Sequence, residues 1–86
     1  MAKIEIYTTP WCGYCSRAKA LFDRKGVAYE EIDLTVTPGA REEMIQRAQG
    51  RRTVPQIFVD GRYLGDSDEV AALDRAGKLD AALNPA

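Results

Sequence analysis

No histidine occurs in this chain, cysteine occurs only twice and tryptophan once, and no apolar run approaches the length needed to span a bilayer. Each shortage excludes something. A tetrahedral zinc site needs four ligands, so with no histidine and no further cysteine only an oligomer or outside ligands could complete one. Charge of either sign is not in excess: 12 Lys and Arg face 13 Asp and Glu, a formal charge of -1. A nucleic-acid partner would favour a basic surface, so none is expected. Repeats, linkers and low-complexity segments are missing too. The opening Met1-Ala2-Lys3-Ile4-Glu5-Ile6-Tyr7 has no signal-peptide pattern. With a lone dithiol, that leads to the expectation of a cytoplasmic protein in a reducing compartment, with no membrane partner. What is present, 45% hydrophobic and 29% charged residues in a chain of 86, is ordinary for a globular protein and sets the expectation of one small domain, 1–86.

Both cysteines fall in Thr9-Pro10-Trp11-Cys12-Gly13-Tyr14-Cys15-Ser16-Arg17, just after a strand-like run and just before a helix-like one. A Cys-x-x-Cys pair at a strand-to-helix turn is suited to thiol–disulfide exchange. With Cys12 as N-cap or first helical residue, its sulfur faces unsatisfied backbone N–H groups and the positive end of the helix dipole, and both favour thiolate over thiol. Cys15 lies about one turn further in on the same face, near enough to attack a mixed disulfide on Cys12 and release the partner. A structural disulfide here would close too short a loop to constrain an unfolded chain much. The Pro10-Trp11 and Gly13-Tyr14 pairs are not the company of inert core thiols. Cys12 is read as the nucleophile and Cys15 as the resolving thiol.

Along the chain, Lys3 to Tyr7 alternates as a strand that Pro10 stops. From Gly13 or Tyr14 to Lys25 the pattern is helical, with Cys15, Ala18, Leu21 and Phe22 on one side and Gly26 as C-cap. Val27 to Leu34 reads as a second strand, which makes a βαβ unit with parallel strands and a right-handed crossover. Thr37 looks like an N-cap with Pro38 at the first helical position, opening a helix that buries Met44, Ile45 and Ala48 and ends at Gly50. Ile57 to Val59 and Arg62 to Leu64 pair through the turn Asp60-Gly61. Asp66-Ser67-Asp68-Glu69 is cap-like before a helix containing Val70, Leu73 and Ala76. Gly77 breaks that helix, Leu79 and Leu83 mark a further turn or short helix, and Asn84-Pro85-Ala86 is expected to fray.

This order, with Cys12-Gly13-Tyr14-Cys15 after the first strand, Thr53-Val54-Pro55 before the third and Gly65-Asp66-Ser67-Asp68 before the last main helix, resembles the glutaredoxin family, in particular its small bacterial dithiol members. The resemblance runs from Ile4 to about Leu83. It implies an α/β thioredoxin fold: a βαβ unit plus a β-hairpin and a C-terminal helix, with a four-stranded mixed sheet flanked by helices. It implies glutathione as co-substrate, and disulfide-bearing or glutathionylated proteins as partners of a monomer. Carried onto this chain, Pro55 would be a cis proline beside the redox pair and Val54 would offer its backbone to glutathione, flanked by Thr53. Tyr14 would wall the site, and Ser67 and Asp68 would hold the γ-glutamyl end. Arg41, Arg51 or Arg52 could meet the glycine carboxylate.

Three departures from the family pattern stand out. Proline usually lies between the first cysteine and the tyrosine, and this chain has Gly13, which frees the turn. Family members with glycine or serine there hold a [2Fe–2S] cluster between two monomers, so a cluster-bridged dimer with Cys12 and glutathione as ligands is the alternative reading. A lysine common just before the motif is replaced by the Thr9-Pro10 region. The commoner Gly-Gly before the last main helix is Gly65-Asp66, which adds negative charge. A thioredoxin-like reductant served by a flavoprotein reductase is disfavoured by the short chain, Tyr14 and Ser67-Asp68.

Overall fold

Alternation decides which side of the sheet each residue of the first strand enters. In the computed structural model, which describes residues 2–84, β1 spans Ile4–Thr8. Ile4 and Ile6 enter one core and Tyr7 the other, as period two requires. β3 (Gln56–Val59) divides in the same way, with Ile57 and Val59 on the first face and Phe58 on the second. The strand order is β2-β1-β3-β4, where β2 is Glu30–Asp33 and β4 is Arg62–Gly65. β1 runs parallel to β2 and antiparallel to β3, which pairs antiparallel with β4. The sheet is therefore the four-stranded mixed sheet of the thioredoxin fold.

Helices cover both faces. On the first, α1 (Gly13–Lys25), α3 (Ser67–Arg75) and the short α4 (Leu79–Leu83) bury Leu21, Phe22, Val70, Leu79 and Leu83 against Ile6 and Ile57. Truncating a fully buried phenylalanine such as Phe22 typically costs about 3–5 kcal/mol. On the second face α2 (Ala40–Arg47) packs Ala40 and Met44 on Tyr7 and Phe58. Glu5 on this face is paired with Arg47 at 2.9 Å, and the guanidinium sits 4.2 Å from the centroid of the Phe58 ring. A charge that alternation sends toward a helix is thereby neutralised and covered.

Several boundaries differ from the pattern reading. β1 is displaced by one residue, to Ile4–Thr8. β2 starts at Glu30, not Val27, because Gly26 in the left-handed region (φ 69°) carries the α1 exit and the Val27 N–H donates to Phe22 O (3.2 Å), so it has no strand partner. Thr37 does not cap α2 and Pro38 is not its first residue. Ala40 N–H bonds to Thr37 O (3.1 Å), closing a turn over Pro38-Gly39, and the helix begins after Gly39 (φ 78°) with no side-chain cap. The same helix stops at Arg47, and Gly50 only closes its exit through a bond to Ile45 O. Ala76 is the C-cap of α3 rather than a member. The hairpin forms as read, with positive φ at both Asp60 and Gly61. Of Asn84-Pro85-Ala86, where fraying was expected, Asn84 is the C-cap of α4, its N–H bonded to Asp80 O, and Pro85 and Ala86 lie outside the described residues. Among the described residues no helix is long and apolar enough to cross a membrane.

Candidate active site

β1 delivers the chain to the sheet's carboxyl edge, and Thr9-Pro10-Trp11 turns it into α1. Trp11 adopts φ 57°, unusual for a bulky residue, and its side chain is 101% exposed. Cys12 follows as the N-cap of α1 in extended conformation, its Sγ accepting from the Cys15 N–H at 3.2 Å. A cap sulfur in this position takes one of the helix's orphan donors and meets the positive end of the dipole. Its thiol also lies 3.8 Å from Val54 O, within donating distance. Cys15, on the inner side of the first turn, is only 2% exposed. Burial, helped by the hydrogen bond with Cys12, pushes its thiol up to about 12, while the Thr9 backbone and the Lys19 ammonium work the other way. One half-exposed sulfur and one sealed sulfur share a helical turn, and both are free thiols.

Beside Cys12 lies a groove of about 290 Å³ lined by Tyr14, Thr53, Val54, Pro55, Asp66, Ser67 and Asp68. Six of the nine non-cysteine residues singled out in the sequence, all but the three arginines, therefore meet on one surface, with Asp66 added. The Val54–Pro55 bond is cis. Tyr14 is 56% exposed, and the Arg17 guanidinium stands over its ring at 5.6 Å. Asp66 caps α3 in a reciprocal capping box: its carboxylate accepts from Glu69 N, and the Glu69 side chain reaches back to Asp66 N. Ser67 and Asp68 therefore begin a helix whose N-terminal end faces the groove, where backbone N–H groups suit an anion.

A hydrogen-bonded belt behind the groove was not foreseen in the sequence. Gln56, fully buried, donates through Nε2 to Thr53 O (2.9 Å) and Thr53 Oγ1, and accepts from Tyr63 OH. Arg51 donates to Tyr63 OH (3.0 Å) and pairs with Glu69 at 2.6 Å. The belt ties the Thr53–Pro55 wall to the α3 wall and so holds the groove's width. It depends on Gly65, whose φ is 138° and where a Cβ would come within 2.7 Å of Glu69 Cβ. The spacing Asp66-x-x-Glu69 was the one visible signal of it; the partners on β3 and β4 were not visible locally. Of the three candidate arginines, Arg51 is taken up by this belt. Arg41 lies exposed on α2 beside the Thr35–Gly39 turn, and Arg52 is exposed next to Thr53. Among the described residues no three His, Cys, Asp or Glu side chains cluster to hold a metal ion. With Cys15 sealed, one chain offers a cluster a single reachable sulfur.

Comparison with known proteins agrees with this geometry. A family model described as glutaredoxin matches residues 4–64. Glutaredoxin 3 of Escherichia coli is 51% identical over 80 residues, spanning 93% of this chain and 95% of its own. The crystal structure of a buckwheat glutaredoxin–glutathione complex superimposes with a TM-score of 0.87 at 34% identity, covering 98% of this chain and 78% of the other. A structure concerned with metal binding of glutaredoxins superimposes at 0.72 with 51% identity, covering 96% and 89%.

Proposed function

The chain belongs to the glutaredoxin family and has the Cys12/Cys15 pair of a thiol–disulfide oxidoreductase, and from that premise we propose that it is glutathione-dependent, reducing protein disulfides and protein–glutathione mixed disulfides. The observation that carries this reading is the division of labour between the thiols: Cys12 reachable at a helix N-cap, Cys15 buried one turn behind it. Cys12 thiolate attacks one sulfur of the substrate disulfide, and the other substrate sulfur departs and takes up a proton. The resulting mixed disulfide is then attacked by Cys15, which releases the second substrate thiol and leaves Cys12–Cys15 oxidised. Two glutathione molecules return the pair to dithiol and leave as glutathione disulfide. On a glutathionylated substrate, Cys12 takes the glutathionyl group and a second glutathione removes it, so Cys15 is dispensable.

The groove supports glutathione as the second substrate. Its size and its two kinds of wall, the Thr53–Val54 backbone and a helix N-terminus with Asp68, match a small peptide with a carboxylate and an ammonium. Tyr14 closes one side, and Arg41 and Arg52, neither ion-paired among the described residues, are the candidates to meet the glycine carboxylate. These site roles, like a monomeric state and a place among reduced cytoplasmic thiols, are part of the proposal. In a coupled assay with glutathione and its reductase, Cys12→Ser is expected to abolish turnover, and Cys15→Ser to retain it on glutathionylated substrates. Full activity in Cys12→Ser would remove the assignment.

A second reading has two observations in its favour, the 51% identity to a glutaredoxin studied for metal binding and Gly13. A [2Fe–2S] cluster needs more sulfur than one chain presents, so it would take Cys12 from two chains and outside thiols. Anaerobic reconstitution with iron, sulfide and glutathione tests it. A visible absorption band lost in Cys12→Ser supports a bridged dimer, and a colourless monomer rejects it.

A further inference from the structure

A second groove, of about 370 Å³, runs between α1 and α3 and is continuous with the redox groove through Ser67 and Asp68, which line both. Its direction is readable. Arg17 and Asp68 lie at the redox end, while Lys25 bridges to Asp74 at 3.0 Å, so the carboxyl ends of the two helices meet at the far end. Arg17 and Arg24, seven residues apart, share one face of α1 about 10 Å apart along the axis. That length accommodates about three extended residues. The floor is apolar, with Leu21 and Val70, and the rim is basic, with Arg17, Arg24 and Arg75.

The charge here is local. The whole chain is formally -1, yet among the described residues none of these three arginines lies within ion-pairing distance of a carboxylate. Of the two acids on the rim, Asp74 is neutralised by Lys25 and only Asp68 stands against them. We propose that the α1–α3 groove is the docking surface for a short acidic segment next to the reactive disulfide of a protein substrate. The proposal rests on the disulfide-reductase reading above and adds the substrate class to it. A substrate joined to Cys12 would leave the redox groove over the start of α3 and lie along this channel, its acids against the arginines and its small apolar atoms on the floor.

Two peptides with the same intramolecular disulfide, flanked by glutamates in one and lysines in the other, test it in the glutathione-coupled assay on the full chain. At low salt kcat/KM should favour the acidic peptide by about tenfold, falling toward parity at high ionic strength. Arg24→Gln combined with Arg75→Gln, both exposed positions, should erase the preference, and Arg24→Glu with Arg75→Glu should reverse it. A small uncharged disulfide should be reduced at the same rate by all three proteins. Turnover of that small disulfide with no discrimination between the peptides, or with a preference that survives the glutamine variant, overturns the docking surface alone. No glutathione-dependent turnover by the wild-type protein overturns the underlying reading together with it.

Discussion

Cys12 sits half-exposed at the cap of α1, while Cys15, three residues on, is sealed beneath it with its thiol pushed up to about 12 by burial. Since only thiolate is nucleophilic, the two should differ sharply toward an alkylating agent. Treatment of the reduced protein with iodoacetamide near neutral pH should give a single adduct on Cys12, located by peptide mass spectrometry. Equal labelling of Cys15 would contradict the assignment of roles. Gly13 allows a second prediction. It is the first residue of α1, a Cβ there meets open space, and Cys12 before it is already extended (φ -103°, ψ 110°). Proline suits the first helical position, and the residue before proline prefers this conformation. Gly13→Pro should therefore fold normally and gain about 0.4–1 kcal/mol, mainly by restricting the unfolded chain. Urea unfolding checks it, and a loss of stability would mean that the turn needs glycine. The redox pair was legible in the sequence because spacing and a helix start are local facts. The sealing of Cys15 was legible in the same way, from its helical spacing with Ala18, Leu21 and Phe22, whereas no residue type near position 11 announces the left-handed backbone of Trp11.

α3 shows how an element can brace a site as well as line it. Its capping box holds Asp66 and Glu69 in reciprocal bonds, and the same Glu69 receives Arg51, whose other partner Tyr63 leads through Gln56 to Thr53. Asp66→Ala removes the cap from the helix that carries Ser67 and Asp68, at a typical cost of about 1 kcal/mol. Because the groove is braced through this helix, KM for glutathione should rise while the alkylation rate of Cys12 stays near wild type. Parallel loss of both would place Asp66 in the chemistry instead. The Asp60-Gly61 hairpin, the Gly26 helix exit and the Cys12 start were readable because each depends on a few adjacent residues. α2 was misread at its start for the converse reason: Thr37-Pro38 has the composition of a cap, yet the chain spends it on a turn before Gly39. The belt escaped notice because its members come from the loop before β3, both strands of the hairpin and α3. Only the sheet register, with Phe58 opposite Tyr63, brings them together.

For the molecule as a whole, the ionisable groups that folding perturbs fall into two sets with opposite pH signatures. Glu5 is held below its ordinary 4.5 chiefly by its hydrogen bond from Arg47, and Glu31 chiefly by that from Thr8, with Lys19 adding to it. For such depressed groups the unfolded chain binds more protons, so their contribution is present above pH 4.5 and is lost as pH falls through the folded values. Cys15 and Tyr7 are raised, from 9.0 and 10.0 respectively, each to about 12, chiefly by burial. Here the folded state keeps protons that the unfolded chain releases, so stability is complete below pH 9.0 and declines as pH rises toward about 12. The melting temperature of the reduced protein should thus be flat from about pH 5 to about pH 8.5 and fall on both sides. Two variants separate the limbs. Arg47→Met releases Glu5 and should shallow the acid fall, while Cys15→Ser removes the buried thiol and should delay the alkaline one. Circular dichroism melts across pH 3 to 11 under constant reductant and ionic strength provide the readout. If Cys15→Ser left the alkaline limb unmoved, burial of that thiol would not be a cost that the fold carries, and the sealing that separates the two cysteines would have to be looser than the structure places it.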